Sequence, residues 1–268
     1  MKETLQHVEQ MLDESSAIDV TETFEQLRTI LAELKAKIDA RFELTRDPSS
    51  DRFDSYGSYP DGPGGRIEAY TGPEVDWMVH SWLGNPKASF TNLHLTTWLG
   101  PQIDVPHLGI ALLVWPGGWF YQDFIPRVNL AERADYYDRY YAPLDADWVR
   151  FKEENPDFTW FTSRTGFIRA SLSPNVYCYS FPRAQQHIDV VRELLDARVD
   201  RWLRWVDEAD PVPEADRPAL AATDLAIRRN IADRDPANVM GVRYFGEETT
   251  DKLVRALWGG DRVLPRPA

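Results

Sequence analysis

Residues 94–127, HLTTWLGPQIDVPHLGIALLVWPGGWFYQDFIPR, read as three consecutive strands. Asn92 to Leu99 mixes β-branched, aromatic and apolar residues, and Gly100-Pro101 breaks it. His107 to Trp115 is a nearly continuous apolar run, after which Pro116-Gly117-Gly118 turns the chain into a strand over Trp119 to Ile125. The run Leu108 to Val114 is too short to span a bilayer and too apolar for a sheet edge, so it is expected to be a central strand covered on both faces. The connections are too short for parallel crossovers, which predicts antiparallel neighbours. His94, Asp104, His107 and Asp123 are the polar groups set into this apolar frame.

Upstream, the sheet is predicted to start at about Val75, with a first strand over Trp77 to Leu83 and a second entered from Ser89. Leu5, Val8 and Leu12 suit a short helix over residues 3 to 13. A longer helix follows, opened by Asp19 and Glu22 and striped by Phe24, Leu27, Leu31, Leu34 and Ile38, with a charged opposite face. Its stripe should lie on the sheet or pair with a second chain. Residues 46–65 are dense in Asp, Ser, Gly and Pro and read as a long loop, extended here to residue 74 where the sheet domain begins. Downstream, residues 131–154 carry Tyr136, Tyr137, Tyr140 and Tyr141 on a helix interrupted at Pro143, where helix packing is the simplest role for the four rings. Thr165 to Leu172 and Val176 to Phe181 suggest two strands joined at Ser173-Pro174-Asn175. Ile188, Val191, Leu195, Val199, Trp202 and Val206 then mark the most regular amphipathic helix, Pro211 to Pro218 breaks it, and residues 220–232 and 247–258 read as two further helices. Strands in the middle with helices on both sides predict one α+β domain: N-terminal helices over 1–45, a loop over 46–74 and a sandwich over 75–268.

The composition narrows the function. A chain of 268 residues, 43% hydrophobic and with 10 Trp, can bury a large core. Its net charge of −13, without a Lys or Arg cluster, argues against a nucleic-acid or anionic-membrane surface. Cys178 is the single cysteine, which excludes an internal disulfide and a multi-cysteine metal site and suits a reducing compartment. The opening MKETLQHVEQ lacks a basic segment followed by an apolar one, so a cytoplasmic, unprocessed chain without membrane spans is expected.

The sequence has no G-x-G-x-x-G after a strand, no Walker A sequence, no H-E-x-x-H and no G-x-S-x-G, and its histidines at 7, 80, 94, 107 and 187 lack a metal-ligand spacing. What remains is a sheet-borne set of acids and bases. His94, between Leu93 and Leu95, is either a core histidine bonded to a carbonyl or a proton-transfer group working near neutral pH. Asp104 sits in Gln-Ile-Asp-Val-Pro, where closing an Asx-turn is the simpler role. Asp123, if buried, needs a partner such as Arg127. Arg169 is suited either to a substrate carboxylate or to a structural ion pair.

Taken together, these stretches resemble red chlorophyll catabolite reductase and, more distantly, the ferredoxin-dependent bilin reductases. The resemblance rests on Tyr140-Tyr141-Ala142-Pro143-Leu144-Asp145, Phe167-Ile168-Arg169-Ala170-Ser171-Leu172-Ser173-Pro174, the helix over 187–206, Arg228-Arg229, and Arg243-Tyr244-Phe245-Gly246-Glu247-Glu248. Asp104-Val105-Pro106-His107-Leu108-Gly109 and Gln122-Asp123-Phe124-Ile125-Pro126 are similar to the Asp-Leu-Pro-x-x-Gly and Asp-Leu-Ser-Pro patterns of the bilin reductases, and the likeness extends over residues 75 to 258.

The resemblance implies an α/β/α sandwich with a central antiparallel sheet and a linear tetrapyrrole held between the sheet and the C-terminal helices. It also implies that no redox cofactor is bound, that reduced ferredoxin supplies single electrons, and that a homodimer forms. His94 falls on the family's active-site histidine. Ala111 stands where the family places a carboxylate. A second family carboxylate falls on Asp235 with a one-residue gap, or on Pro236 without it, and Asn238 is the nearest polar substitute. Arg127 and Arg169 would meet the propionates, with Asp104 and Asp123 also placed against the substrate. Arg150, Lys152, Arg164 and Arg183 would form a basic patch for ferredoxin. A rival reading keeps the sandwich as a non-catalytic binder of a flat ligand, and a third gives the fold an unrelated hydrophobic substrate.

Overall fold

In the computed structural model, which describes residues 18–259 apart from 89, 164 and 237 and the side chain of Met240, the N-terminal helix α1 spans Thr21–Arg41. Then come β1 (Thr45–Arg46), a 3-10 turn over Pro48–Phe53, β2 (Tyr56–Gly57), β3 (Gly64–Thr71), β4 (Val75–Asn85), β5 (Phe90–Leu99), β6 (His107–Val114) and β7 (Gly118–Ile125). The second half holds α2 (Ala134–Tyr140), α3 (Asp145–Glu154), β8 (Thr159–Trp160), α4 (Gly166–Ser171), β9 (Tyr177–Phe181), α5 (Gln185–Asp207), α6 (Arg217–Arg234), α7 (Asn238–Phe245) and α8 (Glu247–Trp258). The helix expected over residues 3 to 13 lies outside the described residues.

Among the described residues the strands form one sheet in the order β1-β3-β4-β5-β6-β7-β9-β8, with β2 paired to β3. Every pairing is antiparallel. The strand expected from Leu108 to Val114 is central and buried along its whole length. Side chains alternate between the faces. Leu93, Leu95, Leu108, Ile110, Leu112, Phe120 and Phe124 turn to the back, where they join α1 and α5 in the main core. Phe24, Leu27, Leu31, Leu34 and Ile38 of α1 are each at most 1% exposed, so the stripe is spent on the sheet and on α5 and is not left to pair with another chain. At roughly 1.5–3 kcal/mol for each large apolar side chain removed from water, this stripe alone holds α1 in place.

The opposite face carries Val79, His94, Thr96, Trp98, Ala111, Trp119, Tyr121 and Cys178, and α6 and α8 close over part of it. This is the α/β/α sandwich the resemblance implied. Two local expectations are corrected. Residues 46–74 are not a loop throughout, because β3 enters the sheet with Ile67 and Ala69 buried and Arg66 and Glu68 on the more open side. Residues 165–172 are not a strand: Gly166–Ser171 is a short helix that buries none of its residues, and only the second member of the expected pair, β9, joins the sheet.

Candidate functional site

The register of the sheet assembles the site. Ser81, His94, Ala111, Tyr121 and Cys178 are successive partners across β4, β5, β6, β7 and β9, and so form one row on the face covered by the C-terminal helices. Above this row lies a cleft with about 1460 Å³ not filled by protein atoms, part of it open to solvent. The floor is His94, Ala111, Tyr121 and Cys178 of this row with their neighbours Asn92, Thr96, Trp98, Gly109, Leu113 and Trp119, and the walls come from Phe161, Ile168 and Leu172 on one side and Ile231, Leu257 and Trp258 on the other. The lining is mostly apolar with a few polar groups converging on it, which suits a flat hydrophobic ligand.

His94 points into this cleft half-buried, and among the described residues neither ring nitrogen has a protein hydrogen bond. Of its two sequence readings, the carbonyl-bonded core histidine is not seen. With no carboxylate beside it, burial pulls its pKa down to about 4, so the resting imidazole is neutral at pH 7. Asp235 reaches the same cleft from the residue that ends α6. Asn238, expected beside the ligand, serves the turn instead: its Nδ2 donates to Ala232 O at 2.9 Å and its backbone N–H to Asp235 O at 3.2 Å, fixing the corner that carries Asp235.

Four other expected site residues are placed differently. Arg127 is completely buried, giving Nη2 and Nε to Asp224 at 2.6 and 3.1 Å and its remaining donors to the carbonyls of Gly100, Ile103 and Val105. His107 joins the same carboxylate through Nε2 at 3.0 Å while its Nδ1 accepts from Leu99 N–H. Asp224 lies one helical stretch away from anything adjacent in sequence, so this strut between α6 and the sheet had no local signal. Arg127 therefore does not face the cleft. Asp104 borders a separate hollow with Arg127, Arg133 and Tyr136, where burial raises its pKa against the pull of the two arginines. Arg169 is exposed on α4, donating to Ser163 O at 2.8 Å, at the rim and not in the lining.

Asp123 is fully buried behind the cleft. Its partner is not Arg127: Ser173 donates to it through both N–H (3.1 Å) and hydroxyl, and the Tyr121 hydroxyl donates at 3.4 Å. Burial outweighs the Ser173 hydrogen bonds and lifts its pKa to about 6. From sequence alone Tyr121 reads only as part of a strand. Its alternation with Trp119 and Asp123 put it on one face, but only the sheet register shows that this face is the site.

Among the described residues no three His, Cys, Asp or Glu side chains gather into a metal-ligating group, and no helix is long and apolar enough to cross a membrane.

An antiparallel sheet with helices on both faces, α1 and α5 behind it and the C-terminal helices over the cleft, has the architecture of a bilin-reductase-like sandwich. The fold matches that of phytochromobilin synthase from tomato, solved in complex with biliverdin, with a TM-score of 0.76 at 15% identity over 90% of this chain and 85% of that one. The chain belongs to the red chlorophyll catabolite reductase family, whose model matches residues 27–258. It is 23% identical over 205 residues to red chlorophyll catabolite reductase 1, chloroplastic, of Oryza sativa subsp. japonica, a match that covers 68% of this chain and 60% of the rice protein.

Proposed function

We propose that the protein is a ferredoxin-dependent reductase of a linear tetrapyrrole, red chlorophyll catabolite or a bilin, in which the chain holds the pigment and supplies protons while reduced ferredoxin supplies electrons one at a time. The observation that carries this reading is that His94, an imidazole without hydrogen bonds to other described residues, and the Asp235 carboxylate line one apolar cleft in a chain of this family. The apolar floor would hold the pyrrole rings by stacking and exclude water, leaving the few polar side chains of the lining, His94 and Asp235 with them, to orient the pigment. A neutral imidazole donates a hydrogen bond to a pyrrole-ring carbonyl, and that bond strengthens as negative charge develops on the pigment. Asp235 then serves as the acid on the helical side. The CH–CH bond reduced follows from which pigment carbon lies over each of these groups.

The test is an anaerobic absorbance titration of the full chain with red chlorophyll catabolite and with biliverdin, followed by reduced ferredoxin in the same cuvette. The expected result is a pigment shift on binding, then bleaching or a further shift on reduction. A binding shift without consumption of reductant would make the protein a pigment carrier, and no shift with either pigment would reject the reading.

A further inference from the structure

Ala111 leaves the middle of the cleft floor without an ionisable group, directly between His94 and Tyr121 in the ladder. The next row down holds Asp123, which lines no part of the cleft, is wholly buried, and forms no ion pair among the described residues. Of its two side-chain hydrogen-bond partners, Ser173 and Tyr121, it is Tyr121 that lines the cleft, its hydroxyl donating to Oδ2 at 3.4 Å. Gly109 makes this arrangement possible: a Cβ there would sit 3.1 Å from Tyr121 Cε1 and 3.3 Å from its Oη, so the missing side chain is the space into which the phenol leans. Resting on the reductase reading above, we propose that Tyr121 is a further catalytic residue, delivering to the bound tetrapyrrole a proton that buried Asp123 holds in reserve.

The chemistry follows from the surroundings. A carboxyl lifted to about 6 carries a proton part of the time near neutrality, whereas Tyr121, raised well above 10 chiefly by burial and then by Asp123, does not ionise by itself. Reduced ferredoxin gives one electron to the pigment. When Asp123 is protonated it donates to Tyr121 Oη, the reverse of the bond made to its carboxylate, and the phenol O–H turns to the cleft. As the radical anion gains a proton, the Tyr121 Oη–H bond breaks, the Asp123 O–H bond breaks, and the Asp123 proton moves to Oη. Tyr121 thus stays a neutral phenol, and the only new charge is the Asp123 carboxylate, which the Ser173 N–H and hydroxyl already face. A second electron from ferredoxin and a proton taken from water and passed on by Asp235 complete a two-electron, two-proton reduction. Asp123 regains its proton from water through Tyr121 when product leaves the cleft. Asp123 acts only through Tyr121 and is a positioning residue.

Tyr121→Phe keeps the ring and removes the transferable proton. With whichever pigment the wild-type chain consumes, the variant should bind with the same spectral shift, lose about 10²-fold in turnover, and accumulate the organic radical by EPR after one electron from ferredoxin. Asp123→Asn should lower kcat with KM unchanged. Adding Ala111→Asp to Tyr121→Phe places a carboxyl across the ladder from both His94 and the missing hydroxyl and should recover at least tenfold in turnover, which a purely structural role for the phenol would not allow. A Tyr121→Phe radical that decays at the wild-type rate overturns the proposal whatever the double variant does. A wild-type chain that binds neither pigment overturns the reductase reading itself, and this inference with it.

Discussion

His94 carries the first prediction because its surroundings set both its chemistry and its contribution to stability. Removing an imidazole from water disfavours the charged form, and nothing nearby compensates, hence the fall to about 4. His94→Gln keeps a polar group of similar length and should leave the fold intact while lowering turnover by about 10²-fold, measured as pigment consumption under reduced ferredoxin. Because the folded pKa lies below the unfolded value, the unfolded chain binds the extra proton. The stability tied to this group is complete above the ordinary imidazole value of 6.5 and is lost as pH falls toward 4. His107, also pulled down to about 4 by burial, adds to the same slope. Asp123 works in the other direction, since a carboxyl raised to about 6 favours the folded state at low pH and loses that advantage as pH rises through 6. Thermal melts between pH 7 and 4.5 should therefore fall with acid less steeply for His94→Gln than for wild type, and equal slopes would show that the imidazole is not desolvated. His94 was legible in the sequence as a polar residue in an apolar strand. Tyr121 was not, since an aromatic in a strand is usually packing, and Arg127 was misplaced because its partner sits on a distant helix.

Elements were legible where one periodicity had room to repeat and illegible where it did not. The stripes of α1 and α5 span several turns, and β6 is apolar throughout, so each has a single reading. Thr165 to Leu172 is a short stretch that fits a strand or one to two turns of helix equally well, and in the fold Gly166–Ser171 is helical and pairs with no strand. β3 was hidden behind Pro63 and two glycines. The α6 strut shows what local pattern cannot supply. Asp224→Ala would leave Arg127 buried without a counter-charge, and a cost of about 3–5 kcal/mol is expected in urea unfolding. Arg127→Met combined with Asp224→Leu should return most of that stability, because it removes both charges and fills their volume; a double variant as unstable as the single would refute the uncompensated-charge account. At the α7–α8 corner, Gly246 has φ of +77° with nothing within 4 Å of a would-be Cβ. Gly246→Ala should then cost about 1–2 kcal/mol from conformation alone, read as a lower urea midpoint with an unchanged slope.

The two faces of the sheet are held very differently, and this asymmetry determines how the whole molecule opens. At the back, α1 and α5 share one large apolar cluster with the central strands. At the front, α6 and α8 are attached through small clusters around Leu253 and Ala256 and around Trp98 and Ile125, through the Asp224 strut, and through Trp77 Nε1–H donating to Leu257 O at 3.3 Å. The cleft occupies the space where a continuous core would otherwise have formed. Sub-global opening follows the path of fewest buried contacts, so α6, α7 and α8 should open while the back layer stays closed. A pigment seated in the cleft supplies the missing apolar contacts between sheet and helices and binds only the closed state, which raises the opening free energy by RT ln(1 + [L]/Kd), about 2.7 kcal/mol at a hundredfold excess over Kd. Hydrogen exchange should accordingly be faster in residues 217–258 than in Thr21–Arg41 or Gln185–Asp207, and pigment should slow it roughly 100-fold in the first region alone. Equal exchange in both layers, or protection spread evenly over them, would mean that the helices over the cleft are not the part of the molecule that admits the ligand.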